Sequence, residues 1–249
     1  MSGDRQPSRY RPPRLFVEAP LAAGVEVALA PQQMRYLLTV MRREDGADVR
    51  AFNGLDGEWS ARIRQRGKRD AVLVVDALAR PQPPAGLGPW LVFAAIKRGP
   101  TDLMVEKATE LGAARLIPVR TQRANAERLN IDRLTRIARE AAEISDLAPL
   151  ADVLSDWPAD RVLVVADETG AAPPASDALA GLGPRPFGLL IGPEGGFAPG
   201  ELDALEDFDF ARKIGLGPRV LRAETAAIVG LALAQATMGD LSAARAAPE

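Results

Sequence analysis

Glu194 lies inside a Gly-Pro-Glu-Gly-Gly turn, Gly192 to Gly196, which follows the apolar run Leu189-Leu190-Ile191 and precedes Phe197. About 20 residues later a second turn, Leu216-Gly217-Pro218, leads through Leu221 to Arg222, Glu224 and Thr225, and Ala226 opens a small-residue stretch. Each piece sets backbone without side chains beside a few charged groups, at the end of an apolar strand. Open α/β sheets bind their ligands at such strand ends. An arginine there can stabilise a developing anion, a carboxylate can take a proton, and a hydroxyl can do either or cap a helix. Any one glycine could equally serve a tight turn. The pairing of two such turns favours a ligand pocket.

The chain has no histidine and no cysteine. Ser-His-Asp and Cys-His catalysis, imidazole general bases, disulfides, iron–sulfur clusters and cysteine zinc sites are therefore excluded. No Asp-x-Asp cluster at a strand end argues for a metal. The Gly192–Gly196 turn lacks the G-x-G-x-x-G spacing of dinucleotide folds and the Gly-Lys-Ser/Thr of a phosphate-binding loop. A reaction whose difficult step is carried by a cofactor suits this inventory best.

The elements that must position these residues fall into two parts. Residues 1–13 read as a flexible polar arm. Short strands follow at Arg14–Val17, Val25–Leu29, Ala47–Phe52, Glu58–Arg64 and Ala71–Val75, with a short helix over Pro31–Met41 and a Gly-containing hairpin loop over Asn53–Gly57. Residues 14–80 are thus expected to form a small β-barrel. The span 81–89, with four prolines and two glycines, reads as a linker. From 90 to 249 strands and helices alternate, which predicts an α/β domain with a mainly parallel sheet. Its strands are expected at Trp90–Ala95, Leu116–Val119, Val162–Ala166, Phe187–Ile191 and Ala211–Leu216. Helices are expected at Thr101–Leu111, capped by Thr101 or Asp102, and at Ile131–Ile144, Pro199–Leu205 and Glu224–Met238.

No apolar run approaches the roughly 20 residues of a membrane helix, and the N-terminus has no signal-peptide core, so a cytoplasmic protein is expected. Residues 1–139 hold 24 Lys/Arg and 15 Asp/Glu, a net of +9; residues 140–249 hold 7 and 18, a net of −11. A basic front half suits a polyanionic partner, although two solvated faces of opposite sign would look the same.

The string Leu-Ile-Gly-Pro-Glu-Gly-Gly (190–196), followed by Leu-Gly-Pro-Arg-Val-Leu-Arg-Ala-Glu-Thr-Ala (216–226), resembles the SPOUT methyltransferases. Within them the chain is similar to the family of 16S ribosomal RNA uracil-N3 methyltransferases. Arg14-Leu-Phe-Val, Tyr36–Arg42, Phe52–Gly57 and Glu106–Gly112 agree with that resemblance, which spans roughly residues 14–240. It implies a PUA-like barrel before an α/β domain with a deep trefoil knot, S-adenosylmethionine as cofactor, a homodimer, and 16S rRNA or the small ribosomal subunit as partner, with no metal and no membrane.

Carried over, the motifs make Ile191, Gly192, Glu194, Gly195, Gly196, Leu216, Gly217, Leu221 and Ala226 the cofactor-binding positions. Arg222, Glu224 and Thr225 become the catalytic candidates. Glu194 could instead cap the next helix, Arg222 could pair with Glu224, and Thr225 could be a cap. Arg14, Arg35, Arg42, Arg43, Lys97, Lys107, Arg120 and Arg123 are the RNA-binding candidates, with Arg62, Arg64, Lys68, Arg69 and Arg98 as further basic groups. One segment departs from the family pattern. Where Glu-Gln-x-x-Arg is usual, Glu143-Ile144-Ser145-Asp146-Leu147 stands, and Gly99-Pro100 changes a helix entry. The departure leaves room for an RNA-binding or assembly protein with weak catalysis, or for a different RNA target.

Overall fold

A computed structural model describes residues 12–67, 70–82, 88–124, 128–138 and 143–241. The arm at 1–11, part of the linker, and Lys68 and Arg69 lie outside the described residues. The chain divides into two compact units between Pro84 and Ala85.

In the first unit β1 (Arg14–Phe16), β2 (Glu26–Ala28), β3 (Asp48–Phe52), β4 (Glu58–Gly67) and β5 (Asp70–Arg80) form a five-stranded sheet in the order β1-β3-β4-β5-β2. All pairings are antiparallel except β1 with β3. Alternation in β4 buries Ala61 and Ile63 and leaves Arg62 and Arg64 outside, as a half-buried strand requires. The β3–β4 turn is held by Asn53, whose Oδ1 accepts from Leu55 and Asp56 N–H, while Asp56 Oδ2 accepts from Leu21 N–H. The helix expected over 31–41 is α1 (Pro31–Met34) running into a π-helical turn, Arg35–Val40, which buries Leu37.

In the second unit the strands are β6 (Trp90–Ala94), β7 (Arg115–Arg120), β8 (Glu143–Ile144), β9 (Ala148–Pro149), β10 (Val162–Ala166), β11 (Phe187–Ile191) and β12 (Ala211–Ile214). The sheet order is β12-β10-β11-β6-β7-β8, with β9 also on β7, and every pairing is parallel. Strands buried on both faces read as continuous apolar runs, which β6, β10 and β11 are. The helices are α2 (Arg98–Glu110), α3 (Ile131–Ile137), α4 (Leu150–Ser155), α5 (Ala175–Ala178), α6 (Pro199–Glu206) and α7 (Ala223–Met238). One sheet face packs Leu91, Phe93, Leu189 and Ile191 against α2, α3, α5 and α7. The other packs Val92, Val165 and Leu190 against α4 and α6. Gly230 lets α7 lie directly on β11, since a Cβ there would come 2.8 Å from Leu189 Cδ2.

Two helix expectations need correction, and two short helices were not expected. Helix α2 starts at Arg98, with Lys97 at the N-cap. Thr101 is buried within it, its hydroxyl donating to Ile96 and Lys97 carbonyls, and Asp102 pairs with Arg133. Helix α3 ends at Ile137, and Glu143-Ile144 joins the sheet beside Arg115 and Leu116. Strand pairing and burial of Ile144 against the core outweigh the helical spacing there. Helices α4 and α5, each under two turns, carry too little periodicity to be read from sequence.

Candidate functional site

Strands β12, β10 and β11 are neighbours and parallel, so the segments leaving Ala166, Ile191 and Ile214 emerge at one edge of the sheet. Asp167 N–H donates to Ile214 O at 3.0 Å, and Asp167 Oδ1 accepts from Thr169 N–H and Oγ1 at 2.8 and 2.6 Å. Glu168 Oε1 accepts from Phe197 N–H at 2.9 Å, tying the turn after β11 to the end of β10. Within that turn Gly196 N–H donates to Pro193 O at 2.9 Å. Gly196 has φ +70°, and a Cβ there would fall 2.1 Å from Glu168 Oε1, so both conformation and space demand glycine. The Phe197 ring folds over Gly192, 2.9 Å from where a Cβ would sit.

Beyond β12, Gly215 exchanges hydrogen bonds with Pro173 O and Ala175 N–H, and the chain then projects outward through Gly217, Pro218, Arg219 and Val220, the last 85% exposed. Gly217 has φ +99° and faces open space. Leu221 is half-buried, and Arg222 forms the N-cap of α7 with its carbonyl accepting from Ala226 N–H. Thus Ile191, Gly192, Glu194, Gly195 and Gly196 lie at the end of β11. Leu216, Gly217, Leu221, Arg222, Glu224, Thr225 and Ala226 lie beyond β12. The two groups leave the same edge, one strand apart.

Among the described residues Arg222 and Glu224 form no ion pair, and the Arg222 side chain makes no cap bond. Thr225 stands third in the helix with its side chain exposed. Glu194 is exposed, and it is Glu201 that accepts Ala198 N–H at 2.8 Å at the start of α6.

Three side chains at this edge escaped the sequence reading of the pocket. Glu168 stands two residues after the apolar run 162–166, the same signal that marked the other turns. Glu201 Oε1 also accepts Gln122 N–H at 2.9 Å. Arg123, expected to meet RNA, donates through Nη1 to Gly195 O at 3.3 Å and Phe197 O at 3.1 Å. Thr121 and Gln122, with Arg120, Pro149, Leu150, Gly200 and Glu201, wall a cavity of about 460 Å³.

The remaining basic candidates differ in their engagements. Arg14 lies over the Phe52 ring at 4.4 Å and pairs with Glu58 at 2.8 Å. Lys107 pairs with Glu106 and Glu110 at 2.8 and 2.6 Å, which raises its pKa. Arg62 pairs with Asp76 at 2.7 Å, and Arg64 and Arg66 share Glu26. Arg35 and Arg42 are exposed around the π-helical turn, Arg42 with φ +50°, and Arg43 is half-buried. Lys97 and Arg120 are exposed, at the N-cap of α2 and the end of β7. The divergent segment has a packing role in Ile144, and β9 continues it along β7 at Val119 and Arg120.

Residues 88–235 match the family model of an RNA methyltransferase domain, and residues 29–76 match that of an RNA methyltransferase PUA domain. The ribosomal RNA small subunit methyltransferase E of Rickettsia conorii is 32% identical over 88% of this chain and 93% of its own length. The chain belongs to this RNA methyltransferase family. The enzyme of the same description from Synechocystis is 28% identical over 88% of this chain and 76% of its own. Among solved structures, the Neisseria gonorrhoeae ribosomal RNA small subunit methyltransferase E bound to S-adenosyl methionine superposes with a TM-score of 0.76 at 21% identity. It covers 93% of this chain and 100% of that one. A Legionella pneumophila structure solved with bound SAM gives 0.73 at 24% identity over 91% and 98%. These likenesses establish the fold, a PUA-like unit and a mainly parallel methyltransferase unit.

Proposed function

We propose that the chain transfers the methyl group of S-adenosylmethionine to N3 of a uridine in 16S rRNA. The observation that carries this reading is the convergence of three glycine-bearing or acidic turns on one edge of a parallel sheet, in a chain of this family. The residues fit such a cofactor. Gly192, Gly195 and Gly217 bring main chain, free of side chains, to the edge, and Glu168 and Glu194 place carboxylates beside it.

The cofactor supplies an electrophilic methyl on a sulfonium, so the protein needs neither a metal nor a covalent intermediate. Its own work is to orient uracil N3 and to favour loss of the N3 proton. In this reading the Arg222 guanidinium, free of an ion pair among the described residues, stabilises the anionic uracil oxygen. Glu224 offers a carboxylate on the first turn of α7, and the exposed Thr225 hydroxyl can orient the base. Leu216, Leu221 and Ala226 support the adenine side. Lys97, Arg35, Arg42, Arg43 and Arg120 neutralise RNA phosphates, each contact steepening the salt dependence of binding.

The trefoil threading implied by the family is supported by the 167–186 connection. It bonds to Gly215 before α7 and, through Arg185 N–H, to Met238 O at its end. A homodimer is supported by α7, where Leu233 is exposed and Ile228, Val229 and Ala232 are only half-buried. Leu233 on α7 and Leu103 on α2 are 40% and 41% exposed on adjacent helices. Methylation of ribosomal RNA would take place in the cytoplasm. Among the described residues no helix is long and apolar enough to cross a membrane.

Two measurements test the reading. Calorimetry should show S-adenosylmethionine binding at physiological concentrations, and its absence would remove any enzyme reading. Mass spectrometry of 16S rRNA from a deletion strain should lose N3-methyluridine; an unchanged level means a different substrate.

A further inference from the structure

We propose that Arg123 is a positioning residue that sets the cofactor turn, and not a phosphate contact. The inference rests on the reading that the Gly192–Phe197 turn holds the cofactor, and its first test is independent of it.

A turn built from Gly192, Gly195 and Gly196 has little side-chain packing to fix it, so its polar main chain must be held by partners. The accounting is nearly complete. Gly196 N–H goes to Pro193 O, Phe197 N–H to Glu168, and Ala198 N–H to Glu201. The Gly195 and Phe197 carbonyls both point at one atom, Arg123 Nη1. Two converging carbonyl dipoles repel each other, and a cationic donor between them removes that repulsion. Among the described residues the Glu194 and Gly195 amides have no acceptor, which leaves them for a ligand.

Arg123 is itself held in place. Its neighbour Gln122 donates N–H to Glu201 Oε1, while Oε2 of the same carboxylate takes Ala198 N–H. One carboxylate therefore staples segment 121–123 to the end of the turn. The Arg123 stem adds contact, since a Cβ on Gly195 would meet Arg123 Cβ at 3.6 Å. Arg123 is exposed, as Lys97 and Arg120 are, but its guanidinium is committed to two carbonyls, whereas those two side chains make no hydrogen bond or ion pair among the described residues.

The test uses the full chain carrying Arg123→Ala or Arg123→Lys. Hydrogen exchange of the peptide spanning 190–198 is followed without cofactor, with the β6 peptide 90–96 as internal control. Loss of two charge-assisted bonds should speed exchange in 190–198 by about tenfold in the alanine variant, with partial rescue by lysine and no change in the control. Calorimetry should show S-adenosylmethionine binding weakened by about tenfold, with kcat recovered at saturating cofactor and RNA affinity changed by less than about twofold. Unchanged exchange in 190–198, or equal acceleration in both peptides, overturns the proposal whatever the affinities do. If the unaltered protein fails to bind S-adenosylmethionine, the cofactor reading falls, while the exchange result still decides the role of Arg123.

Discussion

Phe197 N–H and Glu168 Oε1 meet at 2.9 Å, and Gly196 passes so close to that carboxylate that no side chain fits between them. The ends of β10 and β11 are therefore locked at a point where substitution is impossible without movement. Gly196→Ala must accept φ +70° as well as the clash, and the conformation alone costs about 1–2 kcal/mol. We expect S-adenosylmethionine affinity to fall by at least about tenfold in calorimetry. Affinity within about twofold of the unaltered protein would reject the turn as part of the pocket.

Arg161 makes a prediction away from the site. It is 6% exposed, donates to Phe187 O at 2.8 Å and Gly88 O at 3.3 Å, and lies 4.1 Å over the Trp90 ring. Burial lowers its pKa, but a guanidinium stays charged. Arg161→Leu leaves those carbonyls without that donor and should cost about 2–4 kcal/mol in urea unfolding. S-adenosylmethionine affinity of the folded variant should be unchanged.

Asp56 gives the first unit a dependence on acid. Leu21 N–H and then the Asn53 amide hold its carboxylate below 3.8. A depressed pKa in the folded state means that the stabilisation is complete above 3.8 and is lost as pH falls through the lowered value. The stability gap between the unaltered protein and Asp56→Ala should be constant at neutral and mildly acidic pH and should close below 3.8. Thermal melts across that range decide it, and a gap that persists in strong acid would refute the role.

Leu103 and Leu233 test the dimer. Leu233→Arg, or Leu103→Glu, puts a charge in place of one of the two exposed leucines on the adjacent helices α2 and α7. Sedimentation should show a dimer for the unaltered chain and monomer for each variant at micromolar concentration. A monomeric unaltered chain would end the homodimer reading.

How much could be read beforehand varied with the physics of each element. β11 and its turn were legible because a continuous apolar run ending in Gly-Pro-Glu-Gly-Gly leaves little choice of structure. The end of α3 was not: Ile144 keeps the helical spacing, and only the partner strand β7 reveals that it belongs to the sheet. Arg123 was legible as a cation but not by partner, since a phosphate and a pair of carbonyls ask for the same donors. Glu168 was missed although it follows an apolar strand, because nothing local joins it to a turn 29 residues away.

The absence of histidine and cysteine has a consequence for kinetics. Without histidine or cysteine, no side-chain type in this protein has an ordinary pKa between the carboxylate range and the tyrosine and lysine range. If the chain methylates uracil N3 as proposed, a pH–rate profile in that window should carry the titration of the uracil imide with no imidazole or thiol of the protein beneath it. In most enzymes histidine and cysteine titrate across that same interval; here neither does.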